Sequence, residues 1–595
     1  MRVRDAFGTR RNRPPQLIAG AAISTLCLLL ATCLPAQGIT VSLPGATATT
    51  GVLDGTNLVL VERTVPAGYM ELFPAYDGSY RDPVVVVEGL DPTNDTFPAD
   101  VYTTLNTWGG LDMARAAGRS IWVVDFGDGG GALTANASLV SDAIEAAANW
   151  GGLLDAEVDV VGISMGGVVS RYALALDEEN GGGSDGLVGL FVSGDSPQQG
   201  ANGPPSLQEI ILFSDDPELT PLLGCDAALS MLYTSVRGYE DNGCRLWGAL
   251  PSSTDWTGSS AAHDWFYDTL NALNGDGYPH KSRNVAVANG SLNPQPHSVG
   301  DPIYTARTYL VFIGRVQLCS ETYGAYPYDV APGSLGEDFA PGNIRQDNFE
   351  LDEHFVATFI PTESALDMRD GYSMFDRTLS QQQSVNHSTI TAETTDFIVE
   401  EVLGPQPRYN PKYLPDGANA TLYGWIVTAV FQGMFYAESP DRLSGILVVS
   451  NDSIYEGDVV TVRGTMSLLA GERRVLATSV TVDGSAQVPG PLGLSNLALG
   501  GGPIGPFTPG ITDASGLNNV GLLVRTWGCV ISADADHFHI DDGSGVNVKC
   551  LVPAGVTLPG VNDCVSVTGI SSCETVGEET YRLLRVRSQE DIVAF

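Results

Sequence analysis

Apolar residues as far as Gly404 fall into two rhythms. Short unbroken runs recur at Pro83-Val84-Val85-Val86-Val87-Glu88-Gly89, Ser120-Ile121-Trp122-Val123-Val124-Asp125, Val158-Asp159-Val160-Val161, Gly189-Leu190-Phe191-Val192-Ser193 and Asn284 to Ala288. Runs of that length and β-branched content predict strands buried on both faces. Between them lie segments with helical spacing: Thr103 to Ala116, Ser138 to Asn149 with Leu139, Ala143 and Ala147 on one side, and the stretch after Gly166. Strands and helices alternating in this way predict a parallel sheet covered on both faces. A lone strand-like run, Leu58 to Val61, precedes the series. The run Val356 to Pro361, read as a late strand, and a helix from Ala392 to Val402 close it.

The series is interrupted between Gly200 and Arg283 by helical pieces at Leu207 to Phe213, Ala227 to Thr234 and Ala261 to Leu273. An insertion of that size at the C-terminal edge of a sheet is expected to cap a pocket, and Trp247, Trp256, Trp265 and Phe266 are candidates to line it. Beyond Gly404 the helical period disappears. Thr421-Leu422-Tyr423-Gly424-Trp425 and Gly521-Leu522-Leu523-Val524-Arg525 open two similar series of short strands, separated by a Gly/Pro-rich stretch. The predicted class is α/β, a mostly parallel sheet with a helical cap, followed by two small all-β barrels. The expected divisions are a catalytic domain over 38–404 with its cap at about 201–283, modules over 415–487 and 513–595, and a linker over 488–512. The order and length of the two modules resemble OB-fold barrels. They are expected to act as spacers or as attachments to a cell surface or a polymer.

Composition narrows the class. With 43% apolar and 17% charged residues the chain has the makings of a folded core, and a net charge of −40 disfavours nucleic acid and anionic membranes as partners. Five arginines from Arg2 to Arg13 precede an apolar run from Leu17 to Leu34 and then Pro35-Ala36. Residues 1–36 therefore read as a signal peptide, and the chain as secreted, extracellular or periplasmic. Cys33 follows Leu30-Ala31-Thr32, a poor match to a lipid-attachment box, so plain secretion is expected. No later segment is long and apolar enough to span a membrane. In an oxidising compartment Cys225 and Cys244 are candidates for one disulfide, and Cys529, Cys550, Cys564 and Cys573 for two, leaving Cys319 odd. Their spacing matches no zinc site.

The chemistry centres on Gly162-Ile163-Ser164-Met165-Gly166, placed between a buried strand and a helix. In that context a G-x-S-x-G string is a nucleophile elbow, with Ser164 raised above the sheet edge at a helix N-terminus. A serine nucleophile needs a base, an orienting acid and donors for an oxyanion. Among the histidines, His263 and His280 fall in the insertion and His537 and His539 in the last module. His387 falls between the late strand and the closing helix, where the base is expected. His354 is the runner-up, and His297, in a proline-rich loop, reads as solvated. The expected oxyanion donors are the main-chain N–H groups of Met165 and Leu90.

Ser164-Met165-Gly166-Gly167 with Arg171-Tyr172 resembles the lipases and esterases of the α/β-hydrolase superfamily. Ser196-Pro197-Gln198-Gln199-Gly200-Ala201 is similar to their T-P-H-x-G-S string, and Phe359 to Leu366 to their V-P-x-x-S-x-L segment. The resemblance covers about Asp82 to Leu403. Two positions depart from it: Glu88-Gly89 stands where His-Gly is usual, and Ala357-Thr358 where an aspartate is usual. Asp195, after the strand that ends at Ser193, occupies a place where some lipases keep their acid. Asp367, Asp301 and Asp352 are the alternatives. The resemblance implies a Ser164, Asp195, His387 triad that cleaves a lipid or other carboxylic ester through an acyl-serine, with no cofactor or metal. Acyl transfer or polyester depolymerisation on the same triad is the alternative chemistry. A hydrolase fold serving only as a binding or adhesion protein is the alternative class.

Overall fold

Successive side chains of a strand leave a sheet on opposite faces, and here both faces are buried. The computed structural model describes residues 38–54, 57–203, 208, 223–233, 235, 260–291, 302–310, 314–321, 349–353, 359–405 and 407–595. The hydrolase-like part begins with β1 (Ile39–Ser42), the hairpin β2 (Ala46–Asp54) and β3 (Asn57–Val65), and β4 (Tyr69–Phe73). Next come β5 (Val84–Val87), α1 (Pro98–Leu105), α2 (Gly110–Ala116), β6 (Ile121–Asp125), α3 (Leu133–Ala148), β7 (Val158–Ile163), α4 (Met165–Asn180) and β8 (Val188–Gly194). The insertion contributes α5 (Asp226–Met231) and α6 (Ala261–Ala272), followed by β9 (Arg283–Ser291). After it come β10 (Pro302–Leu310), β11 (Gly314–Glu321), β12 (Phe349–Glu353), α7 (Thr362–Ala365), the short pair β13 (Met368–Arg369) and β14 (Tyr372–Ser373), β15 (Arg377–Gln381) and α8 (Ala392–Leu403).

The main sheet has eight strands in the order β1-β4-β6-β5-β7-β8-β9-β15. β4 pairs antiparallel with both β1 and β6, and the other pairings are parallel. Val85, Val87, Val158 and Val160 face a core shared with α3 and α4, while Val84, Val86, Val161 and Val192 face a second core with α1, α2 and α8. That two-sided burial is why these strands carry no polar alternation.

Several expectations need correction. The predicted helix Thr103 to Ala116 is two helices, because Gly109 takes a left-handed conformation (φ 81°) and breaks the run. Among the described residues the sheet closes with β15. Phe359 and Ile360 form a bend, and residues 354–358 lie outside the described residues. β15 escapes pattern reading because an edge strand such as Arg-Thr-Leu-Ser-Gln needs little apolar content. Apart from Gln208, the helix expected at Leu207 to Phe213 lies outside the described residues, as do Trp247 and Trp256.

The C-terminal region holds two barrels of matching order. β16 (Asn419–Phe431), β17 (Met434–Glu438), β18 (Gly445–Val449), β19 (Asp458–Leu469) and β20 (Glu472–Ser485) close in the order β16-β17-β18-β20-β19, with β19 returning to β16. After β21 (Leu492–Gly493), the strands β22 (Leu523–Ala533), β23 (His537–Asp541), β24 (Asn547–Leu551), β25 (Cys564–Val576), β26 (Glu579–Arg585) and β27 (Ile592–Ala594) repeat that order with an added pairing of β22 to β25. In both barrels the third strand meets the fifth in parallel. The Gly/Pro-rich stretch is not a free spacer: β21 pairs with β22, and Leu499 is buried in the second barrel's core.

Residues Pro35–Phe595 form one unit. Asn419 Nδ2 donates to Thr107 O at 2.8 Å, the Tyr423 hydroxyl donates to Asp396 of α8 at 2.7 Å, and Arg463 pairs with the same carboxylate. Cys529 and Cys564, directly opposed on β22 and β25, form a disulfide. The second bridge expected among the last four cysteines is absent: Cys550 and Cys573 are separate buried thiols in different cores. Cys244 lies outside the described residues, so the pairing expected with Cys225 does too. Among the described residues no helix is long and apolar enough to cross a membrane.

Candidate active site

Three side chains far apart in sequence meet at the C-terminal edge of the sheet. Ser164 sits in the turn from β7 to α4 with φ 53° and ψ −124°, a strained conformation for a residue with a Cβ. Small neighbours make the turn possible. A Cβ on Gly162 would lie 2.5 Å from Gly166 O, and one on Gly166 would lie 2.3 Å from Glu88 O. Strand, elbow and helix are therefore pressed together with no room for side chains. The Ser164 hydroxyl lies 2.8 Å from His387 Nε2, and His387 Nδ1 lies 2.7 Å from Asp195 Oδ2. His387 follows β15, and Asp195 follows β8 with φ 43°. Serine, then acid, then histidine, on the loops of a mostly parallel sheet with the serine in an elbow, is the decisive arrangement.

The fold is that of the α/β-hydrolases. No family model matches the chain, and no curated protein matches it. Solved structures that resemble parts of it include Est1E from Butyrivibrio proteoclasticus, 10% identical over 25% of this chain and 51% of that one, with a TM-score of 0.17. An esterase from Pyrobaculum calidifontis is 12% identical over 40% of this chain and 66% of that one, with a TM-score of 0.23. Carboxyl esterase 2 from Tuber melanosporum is 14% identical over 26% of this chain and 46% of that one, with a TM-score of 0.18. The chain thus spans 46 to 66% of the length of these neighbours.

The second oxygen of Asp195 is also taken: Oδ1 accepts the Asn289 N–H at 2.8 Å. The Asn289 side-chain amide donates to the carbonyls of Asn386, His387 and Thr389 at 2.9, 3.0 and 3.1 Å. Asn289 O accepts the Val385 N–H at 2.9 Å. One residue at the end of β9 thus fixes the acid and the histidine loop together. The loop is held a second time where Trp108 Nε1 donates to Ile390 O at 2.9 Å. Sequence reasoning named neither residue, since a lone asparagine or tryptophan carries no signature for this work.

Met165 is the first residue of α4, where the N–H is not used by the helix. Gly89 faces the elbow closely: a Cβ there would come 3.3 Å from Ser164 Cβ, which brings the Gly89-Leu90 main chain beside Ser164. The neighbouring Glu88 side chain is turned into the protein and accepts the Phe126 N–H at 2.5 Å. Burial pushes its carboxyl well above the usual range, and nearby Asp125 and Asp91 add to the effect.

The other candidates lie elsewhere. Asp367 is fully buried and pairs with Arg171 at 3.1 Å and Arg369 at 2.8 Å, while Tyr278 and Gln199 donate to it. Burial alone would raise its pKa, but Arg171 and Arg369 hold it below the ordinary value. Asp352 falls on β12, and Asp301, His297 and His354 lie outside the described residues. His263 is buried beside Tyr267 and Tyr233, and burial lowers its pKa to about 4. His280 is exposed and meets Asp276 at 3.1 Å. His537 meets Asp536 on the second barrel, and His539 meets Ser532.

Ser164 and His387 open into a cavity of about 300 Å³ whose walls include Leu90, Leu105, Ile163, Phe359 and Ile390. The insertion adds Leu223, Ala228 and Met231. Its aromatics do different work from that expected: Trp265 packs against Gly51 of β2, and Phe266 stacks on Tyr172 of α4 at 5.8 Å.

Proposed function

We propose that the chain is a carboxylic ester hydrolase that works through an acyl-serine intermediate, with Ser164, His387 and Asp195 as its triad. The observation that carries this reading is the unbroken line from Ser164 Oγ through the His387 ring to Asp195 Oδ2, opening on an apolar cavity. His387 Nε2 takes the hydroxyl proton as Ser164 Oγ attacks the ester carbonyl carbon. The carbonyl oxygen becomes an oxyanion, to which the N–H groups of Met165 and Leu90 donate. Collapse breaks the bond to the alcohol oxygen, which leaves with the proton from His387. Water then repeats the sequence on the acyl-serine and releases the acid. Asp195 keeps the Nδ1 proton on the histidine and offsets the charge that the ring gains.

The ester-hydrolase names of the partial structural neighbours agree with this reading, and the apolar walls favour an apolar acyl group over a charged one. The basic-then-apolar N-terminal sequence and the Cys529–Cys564 disulfide support a secreted protein. The barrels, OB-like in strand order, take a structural part. The test is labelling with a fluorophosphonate alongside p-nitrophenyl ester hydrolysis. Wild type is expected to label at one serine and to lose hydrolysis on labelling, and Ser164→Ala to do neither. Hydrolysis by Ser164→Ala within about tenfold of wild type would overturn the assignment, since loss of a triad nucleophile costs on the order of 10⁴ to 10⁶.

A further inference from the structure

A cavity of about 320 Å³ lies where the first barrel meets the end of α2. That volume is in the range of small-molecule sites, and junctions between domains are where such sites often form. Ala116 and Ala117 make one side, and the segment before β16 with part of that strand makes another. The loop between β17 and β18 and Ile504, from the stretch between the barrels, complete it. It shares no wall residue with the cavity at Ser164.

Tyr409, Tyr413, Tyr423 and Trp425 all contribute to its walls. In two of them the hydroxyl is committed to the protein: Tyr409 donates to Thr421 O at 2.8 Å, and Tyr423 to Asp396 at 2.7 Å. What these two offer the cavity is the carbon of their rings. The other two each keep a donor unspent. Among the described residues the Trp425 indole N–H and the Tyr413 hydroxyl make no hydrogen bond, although Trp425 is only 3% exposed. A buried tryptophan ordinarily finds a partner for its N–H, so this donor is left for something outside the protein. Asn410 adds a third. Its side-chain oxygen accepts the Lys412 N–H at 3.1 Å and the Ser444 hydroxyl at 2.9 Å, while its amide nitrogen is unpaired among the described residues.

Arg408 and Asp441 are the charged groups of the wall, and they stand 4.0 Å apart. Opposite charges at that spacing offset each other, so the cavity favours no net charge. The chain's overall charge of −40 acts further against phosphates and uronic acids. A ligand that suits these walls brings C–H groups to the aromatic rings, brings hydroxyls to the spare donors and to a carboxylate, and is neutral. A pyranose has that distribution, with C–H groups on its faces and hydroxyls around its rim. A hydrocarbon chain would leave the donors unused, and a nucleotide would bring the wrong charge.

We infer that this cavity binds a neutral sugar, either as a free mono- or disaccharide or as the end of a polysaccharide. The Trp425 N–H and the Tyr413 hydroxyl donate to sugar oxygens. Asp441 Oδ2 accepts from a sugar hydroxyl, its Oδ1 being held by Ser439 and Leu443. The inference stands apart from the ester-hydrolase reading, because none of the groups it uses borders Ser164.

The experiment is calorimetric titration of the full-length protein with cellobiose, maltose, xylobiose and mannobiose, and with digalacturonate as the charged comparator. At least one neutral disaccharide is expected to bind, and digalacturonate about tenfold more weakly or not at all. Tyr413→Phe and Trp425→Phe each keep an aromatic ring and remove one donor, and each is expected to weaken binding by about five- to tenfold. Hydrolysis of p-nitrophenyl butyrate is expected to be unchanged in both. Ser164→Ala is expected to bind the sugar as wild type does, so a failure of the ester-hydrolase reading would leave this result intact. Sedimentation with an insoluble polysaccharide built from the bound unit separates the two sources. Capture assigns the site to a polymer, and disaccharide binding without capture assigns it to a free sugar. Absence of binding to all the neutral disaccharides, equal binding of digalacturonate, or unchanged affinity in both variants overturns the inference. If Trp425→Phe does not fold, Tyr413→Phe decides, since the hydroxyl it removes holds nothing among the described residues.

Discussion

The main-chain N–H of Asn289 donates to the carboxylate oxygen of Asp195 that His387 leaves unused, at 2.8 Å. The Asp195 carboxylate is thereby held by one donor from β9 and one from the loop after β15, and the asparagine amide reaches on to three carbonyls of that loop. Asn289→Ala keeps both main-chain bonds, to Asp195 and from Val385, and removes the three made by the side-chain amide. The histidine loop then loses its anchor, and kcat is expected to fall by about 10²-fold with KM nearly unchanged, as misplacement of a reacting group does. Asn289→Asp is expected to be worse, because a carboxylate would face three carbonyl oxygens. Steady-state kinetics on one soluble ester check both. A loss confined to KM would show that Asn289 shapes substrate binding instead.

Asp195 and Asp367 are both buried aspartates, and only one of them meets a histidine. Asp195→Asn is expected to lower kcat by about 10³ to 10⁴ while leaving the melting temperature close to wild type. Asp367→Asn is expected to do the reverse. It leaves the fully buried Arg171 guanidinium uncompensated, a loss of about 3 to 5 kcal/mol in stability. Denaturant unfolding and turnover measured on the same samples separate the two roles, and a collapse of turnover in well-folded Asp367→Asn would refute the division.

Glu88 gives a pH dependence whose sign is fixed by its surroundings. Its folded pKa is raised, by burial first and then by Asp125 and Asp91. Below the unfolded value near 4.5 the group is protonated in both states and has no effect. As pH climbs above that value the folded state holds the proton that the unfolded state has released, so stability falls with rising pH. Glu88→Gln removes this loss while keeping an acceptor oxygen for Phe126 N–H. The variant is expected to melt close to wild type near pH 4.5 and a few degrees above it at pH 8. A difference that shrinks with rising pH would contradict the argument.

The contact of Tyr423 and Arg463 with Asp396 ties the first barrel to α8. Tyr423→Phe is expected to cost about 1 kcal/mol of stability by removing one hydrogen bond. A chain ending after Tyr409 loses the whole contact, together with Trp425 and the core that buries Ala116. That chain is expected to unfold several degrees earlier than the full-length protein in a thermal melt, with p-nitrophenyl butyrate hydrolysis lost in the same transition. An unchanged melt would show the barrels to be independent of the hydrolase part.

What the sequence disclosed follows from how locally each feature is encoded. Four valines in a row for β5, and Val158-Asp159-Val160-Val161 opening β7, read as strands buried on both faces, so both were legible. Ser164 was legible because the glycines that permit its turn are its neighbours. His387 and Asp195 came from chain order, and they stand at hydrogen-bonding distance. β2 and β3 were largely missed because threonines and exposed leucines blur their alternation. Asn289 acts mainly through a main-chain N–H and an amide aimed at carbonyls, interactions that any asparagine can make. Asp367 was visible as a carboxylate, but its partner Arg171 lies on α4, nearly two hundred residues away. The insertion's aromatics were expected at the pocket, yet Trp265 and Phe266 cover the hairpin and α4, which offer them more apolar surface.

The bond between Ser164 and His387 spans 223 positions of chain. Proteins are made from the N-terminus, and the early strands can associate while later ones are still being synthesised. β5, β6, β7 and β8 contain the elbow and can assemble as soon as residue 194 has emerged. β15, which aims the histidine loop, pairs with β9 only after the intervening segment has been laid down. An unfinished chain therefore carries Ser164 without His387. On the proposed reading, esterolytic chemistry begins only in molecules completed past residue 387, and interrupted synthesis yields silent fragments.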